Sequence, residues 1–269
     1  ARSRTPAMHM AEGRAQGFDY AYEIIDMDQH GGSLADVIDD AGQQGFAGLN
    51  ITYPFKVDIV ALLDDLSDNA RALGAVNTVV FRNGKRFGHN TDLWGFSESF
   101  RLGMTDAPKN EVLLIGAGGA GMAVGHALLL LGVGKLWVFD TDRVRAEALT
   151  TALMMRFGNH RVAITNQIEQ VHAGLDGVVN ATPVGMDKLP GCPFPKNLLR
   201  HNLWVADIIY FPLDTELITA ARKAGCRVLT GDGMAVFQAV RAFALFTGMA
   251  PDPNRMRHAF EALGQDSPS

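Results

Sequence analysis

The sequence lacks the features that mark several large classes of protein. It contains 24 Lys and Arg against 29 Asp and Glu, for a net charge of -5, and it has no basic run. This balance argues against nucleic acid as a partner. The longest apolar stretch, "AVGHALLLLGVG", is interrupted by His126 and is too short to span a bilayer. We therefore expect no membrane partner, and we recognise no signal peptide.

Cysteine and metal-binding patterns are equally sparse. The two cysteines, Cys192 and Cys226, form no C-x-x-C pair and fit the reduced thiols of a cytoplasmic protein better than a disulfide framework. The eight histidines show no metal spacing such as H-E-x-x-H, so we expect no metal site. What remains is 47% hydrophobic and 20% charged, which is ordinary for a globular chain with one large domain or two.

The first hundred residues alternate between strand and helix patterns. "YAYEIID" and "FAGLNIT" predict strands, and "SLADVIDDAGQQG" predicts a helix that ends at a glycine. "AVNTVVFRNGKRFGHN" predicts a hairpin with its turn at Asn83 and Gly84. "TDLWGFSESFRLG" predicts a helix with Thr91 or Asp92 as its N-cap.

The segment "NITYPFK" places Lys56 where a helix is predicted to begin. Pro54 suits a first helical turn, Tyr53 is the expected N-cap, and apolar residues then recur at helical spacing. A cation in that turn faces the positive end of the helix dipole, where a carboxylate is favoured. The helix dipole and partial burial disfavour a protonated amine, whereas a nearby carboxylate favours it. A lysine placed against the dipole therefore suggests a functional role.

Several polar residues of the same region stand in apolar surroundings. Each of them, taken singly, can be a cap or an internally bonded core amide. Together with Lys56 they predict a polar pocket built on strand ends. The residues are Asn50, Thr52, Asn77, Asn90 and Asp92.

The second half of the chain predicts a parallel sheet with a dinucleotide site. "EVLLIG", "KLWVFD", "RVAITN", "DGVVNAT", "LWVADIIY" and "RVLTG" predict strands separated by helices or loops, as in a doubly wound α/β fold. Gly116, Gly118 and Gly121 lie between a strand and a helix, and Asp140 ends the next strand. Such a glycine turn lets a pyrophosphate approach the backbone at a helix N-terminus, while the acid binds ribose hydroxyls.

The residues around this turn bear on the choice of cofactor. The carboxylate of Asp140 can bind the ribose hydroxyls of NAD and repels a 2′-phosphate, so NADP is disfavoured. Arg143 and Arg145 can either reach an adenosine or a phosphate or form a solvated helix face. Asn180 and Thr182 follow a strand at the sheet edge where ligands bind, although an Asx-turn that caps the strand is the alternative.

The chain resembles a known family nearly end to end. The resemblance rests on motifs whose order and spacing are together highly specific, and it is to the shikimate/quinate dehydrogenase family. The motifs are "SRTPAMH" (3–9), "NITYPFK" (50–56), "GAVNT" (74–78), "NTD" (90–92), "GAGGAG" (116–121), "NATPVGM" (180–186), "DIIYFP" (207–212) and "GDGMAVFQA" (231–239).

The resemblance implies a fold and an activity. It implies an N-terminal α/β substrate domain over residues 1–102, a Rossmann dinucleotide-binding domain over 103–233, and C-terminal helices over 234–269 that return to the first domain. The implied reaction is the reversible oxidation of the ring hydroxyl of shikimate or quinate, with hydride transfer to NAD. The partner is thus a small cyclohexane or cyclohexene carboxylic acid, and we expect a monomer or homodimer.

The resemblance also implies roles for individual residues. Lys56 matches the catalytic lysine and Asp92 its carboxylate partner, which either shares the proton or orients the lysine. The residues that match substrate contacts are Ser3, Thr5, Thr52, Asn77, Tyr210 and Gln238. The residues that match cofactor contacts are Gly116, Gly118, Gly119, Ala120, Asp140, Arg145, Asn180, Thr182, Met186 and Gly231.

Departures from the common pattern narrow the branch. "SRTP" replaces Ser-x-Ser, and "DTDRVR" replaces the Asn-Arg-Thr type of segment found in the NADP-dependent form, so the NAD-using quinate/shikimate branch is the better match. The common form has a strand before the first motif, whereas Ser3 is nearly the first residue here. An aminoshikimate-type dehydrogenase and a non-catalytic nucleotide-binding regulator remain alternatives, and the Lys56–Asp92 pair argues against the regulator.

Overall fold

The structure is a computed structural model that describes residues 3–265, and the chain divides into two compact units. Unit 1 joins the residues up to Gly95 to those from Val236 onward, and unit 2 comprises Phe96–Ala235. The α/β fold class is confirmed, and the C-terminal helices belong to unit 1 with the N-terminal segment. None of the helices within the described residues has the length and hydropathy that a membrane span requires.

Unit 1 is built on a four-stranded sheet in the order β1-β3-β4-β2, antiparallel except for the β2–β4 pair. Its core is formed by Ile38, Ile51, Ile59, Ala70, Val76 and Val79. Its first piece contains α1 (Thr5–Ala15), α2 (Met27–His30), α3 (Leu34–Gln43), β1 (Gly48–Asn50), a 3₁₀ helix (Asp58–Leu62), β2 (Asp65–Leu66), α4 (Asp68–Leu73), β3 (Thr78–Arg82), β4 (Lys85–His89) and the start of α5 (Thr91–Gly103).

Two local predictions for unit 1 are confirmed. Asn83 and Gly84 connect β3 to β4 with φ angles of 53° and 71°, as the predicted Asn-Gly hairpin turn requires. Helix α3 begins at a Ser33–Asp36 capping box and is followed by Gly45 at a φ of 79°.

The prediction of a strand at "YAYEIID" is wrong. Within the described residues this segment has no ladder hydrogen bonds to a neighbouring strand. Its alternating tyrosines are instead held by side chains, because Tyr20 Oη lies 3.0 Å from His9 Nδ1 and Tyr22 Oη accepts a 2.8 Å bond from Asn50 Nδ2. Tyr20 also stacks on Phe243. The alternation reflects an extended chain anchored by its side chains, and no sheet is formed.

The prediction of a helix beginning at Pro54 is also wrong. Residues 53–57 form turns, and a short 3₁₀ helix begins only at Asp58. The carbonyl of Lys56, which would accept the bond from Val60 N in an α-helix, accepts a 2.8 Å bond from Val76 N. Val60 N bonds Val57 O instead. The Lys56 carbonyl, which the predicted helix required as an acceptor, is thus used by a non-local backbone hydrogen bond.

Unit 2 is a six-stranded parallel sheet in the order β10-β9-β8-β5-β6-β7. Dinucleotide-binding sheets have this strand order. The order in which strands are added reverses between the first and fourth strands of the sheet, here β5 and β8. The buried core includes Leu113, Ile115, Val178, Phe194 and Val205. The elements are β5 (Glu111–Ile115), α6 (Gly119–Leu130), β6 (Lys135–Phe139), α7 (Arg143–Phe157), β7 (Val162–Ile164), α8 (Ile168–Val171), β8 (Gly177–Asn180), β9 (Trp204–Asp207), α9 (Glu216–Lys223) and β10 (Arg227–Leu229), with short 3₁₀ helices at Asn159–Arg161, His172–Gly174 and Lys196–Leu198.

The chain ends with α10 (Asp232–Thr247), most of which belongs to unit 1, and α11 (Pro253–Gln265). A buried carboxylate ties α11 to α1. Glu12 is fully buried and accepts bonds from Gln16 Nε2 at 2.6 Å, Asp252 N at 3.0 Å and Arg255 Nη1 at 2.7 Å. Because a buried charge is tolerated only when it is paired and bonded, these contacts fix α1 against the start of α11.

We expect Glu12→Ala to lower the free energy of unfolding by about 3 kcal/mol or more, because the change leaves the Arg255 guanidinium and the Asp252 N–H without their buried acceptor. Glu23→Ala, at an exposed position, is the matched control and should change stability by less than about 0.5 kcal/mol. Urea denaturation followed by circular dichroism measures both. Equal stabilities for the two variants would contradict the role given to Glu12.

Candidate active site

An ion pair between Lys56 and Asp92 forms the centre of the candidate site in unit 1. Lys56 Nζ lies 2.7 Å from Asp92 Oδ2, and 31% of the lysine side chain but only 7% of the aspartate side chain is exposed. Asp92 stands in the first turn of α5, where the helix dipole favours a carboxylate. The sequence argument that Lys56 opposes the dipole of its own helix is wrong, because no α-helix begins there. The amine instead contacts a carboxylate that stands at the N-terminus of another helix.

The side chain of Asn90 positions both members of the pair. Asn90 Oδ1 accepts bonds from the backbone N–H of Asp92 at 3.1 Å and of Leu93 at 3.4 Å, so Asn90 is the N-cap of α5. The predictions of Thr91 or Asp92 as the cap are wrong, because both already lie within the helix. Asn90 Nδ2 donates to Ala75 O at 3.1 Å, and the next residue, Val76, bonds the carbonyl of Lys56.

Asn77 is held in one orientation by Thr91. Its Oδ1 accepts a 2.8 Å bond from the Thr91 backbone N–H, which can only donate, and its Nδ2 donates to Thr91 Oγ1 at 3.0 Å. Asn77 Nδ2 therefore points away from the Thr91 peptide N–H that bonds Asn77 Oδ1. Nδ2 also carries a second N–H. Thr78 Oγ1 lies within bonding distance of both Asn77 Oδ1 and Asn50 Oδ1. Four of the polar residues in and beside the predicted pocket thus share one network.

Three other predicted substrate residues of unit 1, Ser3, Thr52 and Gln238, have no hydrogen bond to that network among the described residues. Ser3 Oγ accepts a 3.3 Å bond from Thr5 N at the start of α1, and Thr52 Oγ1 lies 3.5 Å from the neighbouring Tyr53 O. Gln238 is a half-buried residue of α10. Tyr210 belongs to unit 2, where it follows β9 with 43% of its surface exposed.

In unit 2 the glycine turn has the form that accommodates a dinucleotide pyrophosphate. A Cβ on Gly121 would lie 2.0 Å from Gly116 O, so this close approach of helix and turn requires glycine. Gly118, the N-cap of α6, and Gly119 are exposed and have open space where a side chain would stand. Ala120 follows in the first turn. Free backbone donors and room for a ligand therefore coincide at this helix N-terminus.

Asp140 stands beside the turn and is already bonded to it. Its Oδ2 accepts a 2.7 Å bond from Ala117 N, and its Oδ1 accepts a 2.8 Å bond from Asp142 N. The predicted arginines are paired with acids of their own helix: Arg143 with Glu147 at 2.7 Å and Arg145 with Asp142 at 3.2 Å. The carboxylate is thus fixed at the end of β6, and the positive charge next to it is partly compensated.

Asn180 forms the Asx-turn that the sequence left as an alternative. It is fully buried, its Oδ1 accepts from Thr182 N at 2.9 Å and Thr182 Oγ1 at 2.7 Å, and its Nδ2 donates to Val184 O at 3.1 Å. Asn180 therefore shapes the loop that carries Thr182 and the exposed Met186. Its side-chain hydrogen-bonding capacity is used within the protein.

The sequence analysis missed a buried acid next to Asn180. Asp207, at the end of β9, accepts bonds from Asn180 Nδ2 at 3.0 Å, Ile209 N at 3.0 Å and Thr215 Oγ1 at 2.8 Å. No cation pairs with it among residues 3–265. Burial raises the pKa of Asp207 to about 6, against the opposing effect of these hydrogen bonds. The sequence signals were an acid that ends the apolar run "LWVAD" and the position of Asp207 as the first residue of the motif "DIIYFP", and neither indicated a role for its side chain.

Gly231 completes this part of unit 2, because a Cβ there would lie 2.3 Å from Ile208 O. In the described part of the chain, no cluster of three or more His, Cys, Asp and Glu residues could hold a metal ion.

Comparisons with known proteins find similarity over almost the whole chain. Residues 1–79 match the model of the shikimate dehydrogenase substrate binding domain, and residues 231–259 match that of the shikimate 5'-dehydrogenase C-terminal domain. The chain is 49% identical to the shikimate dehydrogenase (NADP(+)) of Streptomyces avermitilis, over 94% of this chain and 89% of that protein. It is 46% identical to the quinate/shikimate dehydrogenase (NAD(+)) of Corynebacterium efficiens, over 97% and 94%.

A solved structure is similar over the same length. The quinate dehydrogenase from Corynebacterium glutamicum in complex with NAD superposes with a TM-score of 0.94 at 47% identity. The similarity covers 97% of this chain and 94% of that one.

The raised pKa of Asp207 predicts a pH dependence of stability. The ordinary pKa is 3.8 and the folded value is about 6, so the folded state holds a proton that the unfolded state has lost between these pH values. The free energy of unfolding should therefore fall as the pH rises through this window, by up to about 3 kcal/mol. Asp207→Asn removes the titration, so its stability relative to wild type should rise between pH 4 and pH 7.

Urea denaturation followed by tryptophan fluorescence measures this difference, since Trp137 and Trp204 both lie in unit 2. Asp214→Asn, which neutralises an exposed carboxylate of the neighbouring loop, is the control. Parallel pH profiles for wild type and Asp207→Asn would contradict the raised pKa.

Proposed function

Because this chain belongs to the shikimate/quinate dehydrogenase family, we propose that it reversibly oxidises the ring hydroxyl of quinate and shikimate to the 3-dehydro acid. NAD, when bound, accepts the hydride that leaves the ring carbon. The observation that carries the proposal is the 2.7 Å contact between Lys56 Nζ and Asp92 Oδ2. It supplies a positioned amine–carboxylate pair, of which Lys56 lies within the residues that match a substrate-binding domain.

In this proposal the pair handles the hydroxyl proton. Oxidation of a secondary alcohol breaks one C–H and one O–H bond, so a base must take up the proton as the hydride leaves. Lys56 in its neutral amine form is the base, and Asp92 orients that amine and stabilises the ammonium that forms when the proton is taken up. In the reverse direction the same ammonium returns the proton to the oxygen of the ketone.

The substrate is held by polar groups with defined donor and acceptor roles. Because the Thr91 N–H already bonds Asn77 Oδ1, Asn77 presents the N–H of its Nδ2 group. This N–H therefore donates to a substrate oxygen. We assign Ser3 and Thr5 to the carboxylate end of the ring, because hydroxyls at the start of α1 can both donate and accept. Thr52, Tyr210 and Gln238 complete the proposed set.

We assign dinucleotide binding to unit 2 and the substrate contacts other than Tyr210 to unit 1. The pyrophosphate would lie on the exposed start of α6, and Asp140 would take the ribose hydroxyls. The proposed cofactor contacts are Gly116, Gly118, Gly119, Ala120, Asp140, Arg145, the loop from Asn180 through Thr182 to Met186, and Gly231.

Two further points belong to the proposal. Both cysteines are free, which supports a cytoplasmic location. A monomer or homodimer is our proposed assembly.

The reaction is tested by following NADH absorbance after addition of quinate, shikimate or neither acid. We expect oxidation of both acids, because they share a carboxylate and neighbouring ring hydroxyls. Oxidation of neither acid would refute the proposal and would direct attention to an amino-substituted shikimate.

Replacement of the lysine should remove most of the turnover. We expect Lys56→Ala to lower kcat by roughly 10² to 10⁴-fold, the contribution typical of a general acid–base group, while NAD affinity stays unchanged. Asp92→Asn should lower kcat by a smaller factor if the carboxylate orients the amine. Lys85→Ala, an exposed lysine of the same unit, is the control and should turn over at the wild-type rate. Wild-type kcat in Lys56→Ala would exclude Lys56 as the base.

Removal of the carboxylate at position 140 should narrow the preference for NAD over NADP. A unit charge pair about 4 Å apart repels by roughly 4 kcal/mol at an effective dielectric of 20, and solvent reduces this. We therefore expect wild type to prefer NAD by at least about tenfold in kcat/KM. Because Asp140→Asn also perturbs the bond to Ala117 N, the ratio of the two kcat/KM values is the informative measure.

Glu169→Gln removes a negative charge at an exposed position of α8 and is the control, which should keep the wild-type ratio. Equal use of NAD and NADP by wild type would exclude the ribose role of Asp140, and Arg143 and Arg145 would then be reconsidered as a phosphate clamp.

A further inference from the structure

A buried polar cluster lies beneath the two loops of unit 2 that carry proposed ligand contacts. Its members are Asn180, Asp207 and Thr215, which are at most 2% exposed. They lie at or beyond the carboxyl ends of β8 and β9, the edge of a parallel sheet at which ligands bind. We define the loop after β8 as residues 181–186 and the loop after β9 as residues 208–215.

Asp207 bonds both loops at once. Through Asn180 it reaches the loop after β8, because Asn180 also bonds Thr182 and Val184. It bonds the loop after β9 directly, at Ile209 N and at Thr215 Oγ1. Thr215 in turn caps α9 by accepting a 3.2 Å bond from Ile218 N. One carboxylate therefore joins both loops to the start of a helix.

The two loops are also packed directly against each other. A Cβ on Gly185 would lie 3.2 Å from Ile209 Cδ1 and 3.4 Å from Thr215 Cβ. In the loop after β9, the backbone of Ile208 and Ile209 lies against Gly231. In the loop after β8, Ala181 lies against Gly116 of the glycine turn. Movement of either loop would disturb the other and the turn.

From this geometry we infer that Asp207 is a positioning residue that locks the loop after β8 to the loop after β9, so that the cofactor side and the substrate side of unit 2 are ordered together. The inference rests on the proposed function, in which Thr182 and Met186 face the cofactor and Tyr210 faces the substrate. Asp207 itself touches neither ligand. Its effect is on where the contacting residues stand.

The test compares three variants. Asp207→Ala leaves Asn180 Nδ2, Ile209 N and Thr215 Oγ1 without their shared acceptor. Asp207→Asn keeps the shape and an acceptor oxygen, so it is the conservative rescue. Asp176→Ala is the matched control, because Asp176 also accepts backbone N–H groups, those of Asn110 at 2.5 Å and Glu111 at 3.3 Å, but precedes β8 at the opposite edge of the sheet.

The first readout is amide hydrogen exchange without any ligand, so it does not depend on activity. In Asp207→Ala we expect peptides of both loops to exchange faster together, while Asp176→Ala and Asp207→Asn leave them at wild-type protection. Faster exchange in one loop alone, or the same change in Asp176→Ala, would overturn the inference.

The second readout is steady-state kinetics. In Asp207→Ala we expect KM for NAD and KM for quinate each to rise about tenfold or more, with a smaller effect on kcat, and near wild-type values in Asp207→Asn. A lower melting temperature with both KM values unchanged would reduce Asp207 to a structural role. If wild type oxidises neither acid, the proposed function fails, and the exchange experiment still decides whether the loops are coupled.

If Asp207→Ala does not fold, the variant Thr215→Val tests the same inference. It removes one of the three bonds to Asp207 together with the N-cap of α9, so both loops should exchange faster and both KM values should rise, by less than tenfold. Wild-type exchange and kinetics in this variant would overturn the inference.

Discussion

The hydrogen bonds of Asn90 hold both members of the central ion pair of unit 1 in place. Its Oδ1 starts the helix whose first turn carries Asp92, and its Nδ2 holds the carbonyl of Ala75. The next peptide N–H, from Val76, binds the carbonyl of Lys56. A single buried amide thus connects the helix that presents the carboxylate to the strand end that anchors the lysine. Loss of either bond would leave a buried donor or acceptor unsatisfied, which costs about 1–3 kcal/mol.

Unit 2 meets the same requirement with a charged group. The Asn180–Asp207–Thr215 cluster satisfies three donors with one carboxylate, but burial raises the pKa of Asp207 to about 6 because no cation of the described chain faces it. A neutral side chain such as Asn could fill the space without the cost of desolvating a charge. An acceptor oxygen at this position, bonded to the Ile209 N–H and to Asn180 Nδ2, joins the loop after β9 to the residue that shapes the loop after β8.

Much of the fold could be predicted from local patterns. The adjacent strands β5, β8 and β9 of unit 2 are buried on both faces, so they appear as short apolar runs such as "VLLI". The Asn-Gly pair at residues 83 and 84 indicates the hairpin turn. The failures are non-local. The helix predicted at Pro54 is prevented by a bond from Val76, and the tyrosines of "YAYEIID" are held by His9 and Asn50. Lys56 and Asp92 could be proposed from sequence, whereas Asp207 could not, because its partners are brought together only by the sheet.

In our proposal, the choice between NAD and NADP depends on the carboxylate of Asp140, which hydrogen bonds within the protein hold in place. Similar relatives carry both NAD(+) and NADP(+) in their names, so overall similarity does not decide the cofactor. Asp140 is bonded to Ala117 N and Asp142 N, which orders its carboxylate next to the glycine turn. A 2′-phosphate would therefore meet an ordered negative charge. Because Arg143 and Arg145 are each paired with an acid of α7 or its cap, they would have to break those pairs to compensate. The local charge arrangement, more than the fold, favours NAD.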